Sequence, residues 1–121
     1  MSDPMPDDLA ANTASSDAVI VALMTAPDAA TAESIARALV EERLAACCNI
    51  LPQVRSIYRW EDSIEQADEV LVIIKTTAAG FDAMRDRVLA LHPYDLPELI
   101  AVPLGAAHEP YLDWVRQSVG A

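Results

Sequence analysis

The sequence predicts an α+β sandwich of the ferredoxin-like type, with strand and helix order βαββαβ, a long hairpin between its second and third strands and an extra C-terminal helix. Three observations predict it. Apolar runs of strand character alternate with stretches of helical spacing in that order. The stretch "SIYRWEDSIEQADEVLVIIKTT" (56–77) reads as two long strands around a tight turn. A last amphipathic segment, "HEPYLDWVRQSV", follows the fourth strand. The order implies one antiparallel sheet with both main helices on one face.

"AVIVALMTA" (18–26) is a short Val- and Ile-rich run, and so a strand buried on both faces and central in the sheet. In the next stretch Ala32, Ile35, Ala36, Leu39, Val40 and Leu44 fall at helical spacing, with Asp28 or Thr31 able to cap the start. "CCNILPQVRSIYRW" (47–60) is the second strand. Pro52 within it demands an edge position or a bulge. "EDS" makes the turn, and 64–77 is the third strand. A second helix is expected over 78–91, capped by Thr77 and burying Phe81, Met84, Val88 and Leu91. A loop punctuated by Pro93 and Pro97 leads to a fourth strand at 99–104. The last helix has Pro110 near its first turn.

The hairpin is longer than its cover. About 13 residues per strand at ~3.3 Å each span roughly 43 Å, while a helix of about 14 residues spans only about 21 Å. About half the hairpin should project, carrying Ile57, Tyr58, Trp60 and Ile64. An exposed apolar hairpin with free edges invites another chain, so an oligomer is expected.

At 121 residues with 53% hydrophobic content, the chain reads as one domain over 17–121 behind a disordered acidic tail at 1–16. Its net charge is −11, and such a surface repels phosphate backbones, which argues against nucleic-acid partners. The two cysteines, Cys47 and Cys48, are adjacent and form no disulfide framework. No apolar run reaches the roughly 20 residues of a membrane span, and the N-terminal stretch lacks the pattern of a signal peptide. A cytoplasmic protein without a membrane partner is expected. No nucleophile triad, Gly-rich phosphate loop or zinc-type spacing is present, so no enzymatic activity is expected.

The segments "TAPD", "ARALVEERLAAC", "SIYRWEDSIEQADEVLVIIKTT", "HPYDLPELIAVPL" and "YLDWV" together resemble the CutA divalent-cation tolerance family, over about residues 19–117. The resemblance implies a ferredoxin-like protomer in a homotrimer with PII-like architecture, and a role in tolerance to copper or another divalent cation. Some members have a Cys where this chain has Met24, and a His-His pair where it has Leu91-His92. The resemblance therefore points to His92 as a metal ligand, with the Met24 thioether and Cys48 as weaker candidates; a thioether suits Cu(I) better than Cu(II) or Zn(II).

Each candidate has a structural reading beside the functional one. His92, at a helix end before Pro93, is either a cap or a ligand completed by a neighbouring subunit. Cys47 and Cys48 are small core residues or soft ligands, although adjacent strand residues point to opposite faces. Tyr58 and Trp60, two apart, either pack a subunit interface or wall a cleft. Lys75, the chain's one lysine, either pairs with a carboxylate such as Glu98 or contacts an anion in a cleft. Tyr94 and Glu98 are candidates to line that same cleft. Two function classes follow. The first is metal binding at clefts between subunits. The second is a PII-like regulatory or scaffold trimer holding a small molecule or partner protein in the cleft of Tyr58, Trp60, Lys75 and Glu98.

Overall fold

The computed structural model describes residues 17–120; the tail expected at 1–16 lies outside them. The elements are β1 (Val19–Ala26), α1 (Ala29–Glu41), β2 (Cys47–Trp60), β3 (Ser63–Thr77), α2 (Phe81–Leu91), β4 (Leu99–Pro103) and α3 (Glu109–Ser118). The four strands form one sheet in the order β2-β3-β1-β4, and every neighbouring pair is antiparallel. β1 is interior, as its unbroken apolar run requires.

Alternation along the strands sorts the two faces. Ala22, Met24, Val70, Val72 and Ile74 point to one face and pack with Ile35 and Leu39 of α1 and Met84 and Val88 of α2. Val19, three residues before Ala22, faces the other way and packs with Leu112 and Val115 of α3. α3 thus reaches only one end of the second face. Further along that face Leu51, Ile100 and Val102 are exposed, with Ile100 at 52%.

Local chemistry explains where elements stop. Asp28 supplies the cap of α1, its carboxylate accepting from the Thr31 N–H at 2.7 Å. α1 ends at Glu41, earlier than the apolar spacing through Leu44 suggests, because Arg43 turns into the left-handed region at φ 61°. Val40, on that same spacing, is exposed. α2 starts at Phe81 instead of residue 78. Thr77 holds the preceding turn, its Oγ1 accepting from the Gly80 N–H at 3.1 Å, and Gly80 is the cap residue. A side chain at Gly80 would crowd Thr77 Oγ1 at 3.1 Å and Val119 Cγ1 at 3.2 Å. His108 precedes α3 without capping it through its side chain.

The hairpin turns at Glu61 and Asp62, with φ of 48° and 67°. Two consecutive positive φ values make the tight turn whose twist matches antiparallel strands. Tyr58 pairs with Glu65. Toward the sheet the register shifts between Leu51 and Val54, and Gln53 takes φ 64°. This is the bulge that Pro52 demands, and β2 is also an edge strand. β1 pairs with β3 only from Val70 to Thr77, so the seven pairs from Val54↔Glu69 to Trp60↔Ser63 project beyond the rest of the sheet. At ~3.3 Å per residue the projection is roughly 23 Å.

Candidate functional site

Two clusters of polar groups stand out, one at the root of the hairpin and one on the second face of the sheet.

The root cluster is assembled by the loop between α2 and β4. Pro93 forces His92 out of the helix into extended backbone, φ −76° and ψ 136°, while the His92 N–H still closes the helix on Val88 O. The imidazole is thereby turned toward β1. Its Nε2 lies 2.7 Å from Thr25 O, and its Nδ1 accepts from the Tyr94 N–H at 3.1 Å. The rings of His92 and Tyr94 lie 4.8 Å apart. The Tyr94 hydroxyl donates to Glu69 Oε2 at 2.9 Å. Burial, then the bond and charge of Glu69, push the Tyr94 phenol up to about 12, with smaller contributions from Tyr58 and Asp28. Beside this cluster the bulge opens a groove of about 430 Å³ lined by Pro27, Gln53, Arg55, Asp68, Glu69 and Val70. Arg55 and Asp68 pair across it at 3.3 Å.

The second cluster surrounds Lys75. The bulge shifts the register by one and sets Lys75 opposite Cys47. Its ammonium donates to Asn49 Oδ1, and Cys47 Sγ lies 3.9 Å from the same oxygen. The ion pair between Lys75 and Glu98 is not formed. Lys75 is level with Val102 through Val21, and Glu98 stands four residues upstream of Val102, roughly 13 Å along the strand.

The expected cleft residues therefore separate within one protomer. Tyr94 belongs to the root of the hairpin, bonded to Glu69, while Tyr58, opposite Glu65, stands toward the tip. Trp60 is at its tip, on the face of Tyr58. Tyr58, opposite Glu65, is ten positions from Lys75 along β3, or roughly 33 Å. Only a second copy can bring Tyr58 or Trp60 near Lys75.

Of the candidate metal donors, His92 is engaged, Met24 is sealed and Cys48 is partly buried as a thiol. Both ring nitrogens of His92 are engaged. Met24 is fully buried in the main core. Cys48 packs against that core, while burial first, and Cys47 second, push its thiol up to about 12 against a smaller pull from Lys75. Metals bind the thiolate. Among the described residues no three His, Cys, Asp or Glu side chains gather as one metal-holding group. In one protomer these residues do not fit a divalent cation.

Cys48 supplies a direct check. With a pKa of about 12, about one part in ten thousand is thiolate at pH 8. In native protein treated with iodoacetamide at pH 8, partly buried Cys48 reacts slowly, and denaturant speeds its modification. Fragment mass spectrometry distinguishes it from Cys47; native alkylation of Cys48 as fast as in denaturant would contradict the raised pKa.

Thr25, Asn49 and Glu69 escaped the sequence reading. Glu69 had a signal, an acid standing directly before the apolar run "VLVII". Thr25 contributes a backbone carbonyl, which has no side-chain signature.

The fold and clusters define a ferredoxin-like protomer with a projecting hairpin, and the comparisons give its family. The model of the family described as CutA1 divalent ion tolerance protein matches residues 20–118. The divalent-cation tolerance protein CutA of Thermus thermophilus is 48% identical over 83% of this chain and 97% of its own length. Human protein CutA is 48% identical over 82% of this chain, which spans 55% of the human protein. The solved structure of the Thermus thermophilus divalent cation tolerance protein superposes with a TM-score of 0.83 at 47% identity, covering 84% of this chain and 99% of that one. The chain belongs to the CutA1 divalent ion tolerance family.

Proposed function

We propose that this chain is a cytoplasmic homotrimer acting in tolerance of divalent cations, copper foremost, that it is not an enzyme, and that it holds the ion at clefts between subunits. The carrying observation is the uncovered apolar second face, with Leu51, Ile100 and Val102 exposed beside a hairpin that projects alone. Such a surface is stabilised by further copies of the chain. Since one protomer gathers no three-donor group among its described residues, an ion with several protein ligands draws them from more than one copy. The relatives' names speak of cation tolerance. No helix among the described residues is long and apolar enough to cross a membrane.

The test is copper titration of metal-stripped full-length protein, as Cu(I) and Cu(II), against a competing chelator while mass is followed by sedimentation. The expected result is a trimer that binds copper in proportion to assembled chains and loses it on dissociation. Binding that survives in separated protomers would overturn the inter-subunit site, and absent binding would overturn the copper role.

A second reading is favoured by one observation. Lys75 is a half-buried residue whose ammonium bonds to neutral Asn49, not to a carboxylate. A positive charge so placed suits a small anion or an acidic partner in a PII-like regulatory or scaffold trimer. Thermal shifts produced by small anions and not by metals, and abolished in Lys75→Ala, would favour this reading.

A further inference from the structure

We propose that His92 in this chain is a positioning residue that fixes Tyr94 against Glu69 at the root of the hairpin, and is not a ligand to a divalent cation. The inference concerns one protomer's own bonds and goes beyond the proposed role in cation tolerance.

The partners determine the tautomer. Thr25 O can only accept, so Nε2 carries the proton. The Tyr94 N–H can only donate, so Nδ1 carries the lone pair. An imidazole binds a metal through a lone pair, and the only one in this tautomer is aimed at Tyr94 N. Freeing it strands a backbone N–H in a part-buried place, and using Nε2 instead strands Thr25 O. His92 is 7% exposed, so an ion reaches the ring only if the loop moves.

The same bonds have a positive role. Pro93 makes His92 extended, His92 holds Tyr94 by its backbone, and Tyr94 reaches Glu69 at 2.9 Å. Glu69 is 8% exposed, and the Tyr94 hydroxyl stands where water would otherwise satisfy its carboxylate. Glu69 pairs with Val54 directly beyond the bulge. The relay from Thr25 through His92 and Tyr94 therefore ties the loop before β4 to the first residues of the projecting hairpin, and so sets the direction in which the hairpin leaves the sheet.

The test uses the full chain labelled with ¹⁵N, where long-range imidazole spectra report the tautomer of each histidine. His92 is expected as the neutral Nε2–H form, and its ring signals stay in place when one equivalent of Zn(II) per chain is added. A His92 nitrogen that shifts while zinc is retained through gel filtration would overturn the proposal. Variants give the second arm. In His92→Ala, hydrogen exchange at the Tyr94 amide accelerates at least tenfold while core amides of β1 and β3 keep their protection. His92→Asn, whose amide oxygen can accept from that N–H, restores it. Broad loss of protection in His92→Ala, or no rescue by asparagine, would overturn the positioning role. Where His92→Ala does not fold, the tautomer and zinc measurements on the unaltered chain decide alone. Zinc held with His92 unmoved supports this proposal and a cation site elsewhere together; no zinc with His92 unmoved supports this proposal and leaves the inter-subunit copper reading to the copper titration.

Discussion

Met24→Ala lowers the stability of the fold by about 2–5 kcal/mol, the range for truncating a large aliphatic side chain in a packed core. Met24 is fully buried, level with Val72 on one neighbouring strand and Leu99 on the other. It belongs to the cluster that joins the sheet to Leu39 of α1 and Met84 of α2. Removal of its thioether leaves a cavity under both helices. Urea unfolding at fixed chain concentration measures the loss as a lower midpoint. Met24→Leu separates packing from sulfur chemistry. It nearly conserves volume and costs less than about 1.5 kcal/mol. Copper binding by Met24→Leu matches that of the unaltered protein, since a sealed sulfur takes no ion. Lost binding in Met24→Leu with an unchanged fold would make the sulfur a ligand after all and require the core to open.

On the proposed trimer, Ile100→Asp reduces the assembly to protomers. Ile100 points away from the main core, because its neighbour Leu99 packs into it. It is 52% exposed on the uncovered face, paired with Leu23 of β1. A carboxylate placed there and then covered by another copy is buried without a partner, an effective penalty of several kcal/mol at each copy of the contact. Sedimentation at micromolar concentration is expected to show a fall to the protomer mass, with circular dichroism retaining the α+β signature. Leu89→Asp is the control, because Leu89 is exposed on α2, on the helix layer; its mass stays that of the assembly. An unchanged mass for Ile100→Asp would remove the second face from the interface and leave the hairpin as the surface to test.

Much of the architecture was legible because it is written in short-range periodicity. The two-residue period of "EVLVIIK" defines which side of β3 is core, and the unbroken apolar run of β1 places it inside the sheet. Pro52 demanded the bulge, and "EDS" placed the turn, which the structure makes at Glu61 and Asp62. The errors at this level lay at helix ends. There, single backbone angles at Arg43 and Gly80 outweigh the spacing of apolar residues.

The candidate site was legible only in part. His92 was marked as a residue of consequence, and its place at the end of α2 followed from Pro93. What its ring touches did not follow, since Thr25 is 67 positions away in the chain and enters through a carbonyl every residue possesses. Tyr94 meets Glu69 across 25 positions, and Lys75 meets Asn49 across 26. The sequence by itself determined the order of elements, the central strand, the hairpin and its excess length. Only the tertiary structure decided that His92 spends both nitrogens on the backbone, that Met24 is sealed, and that Lys75 stands apart from Glu98. Periodicity is a local property of the chain, whereas the direction of a side chain's last bond is set by whatever the fold brings against it.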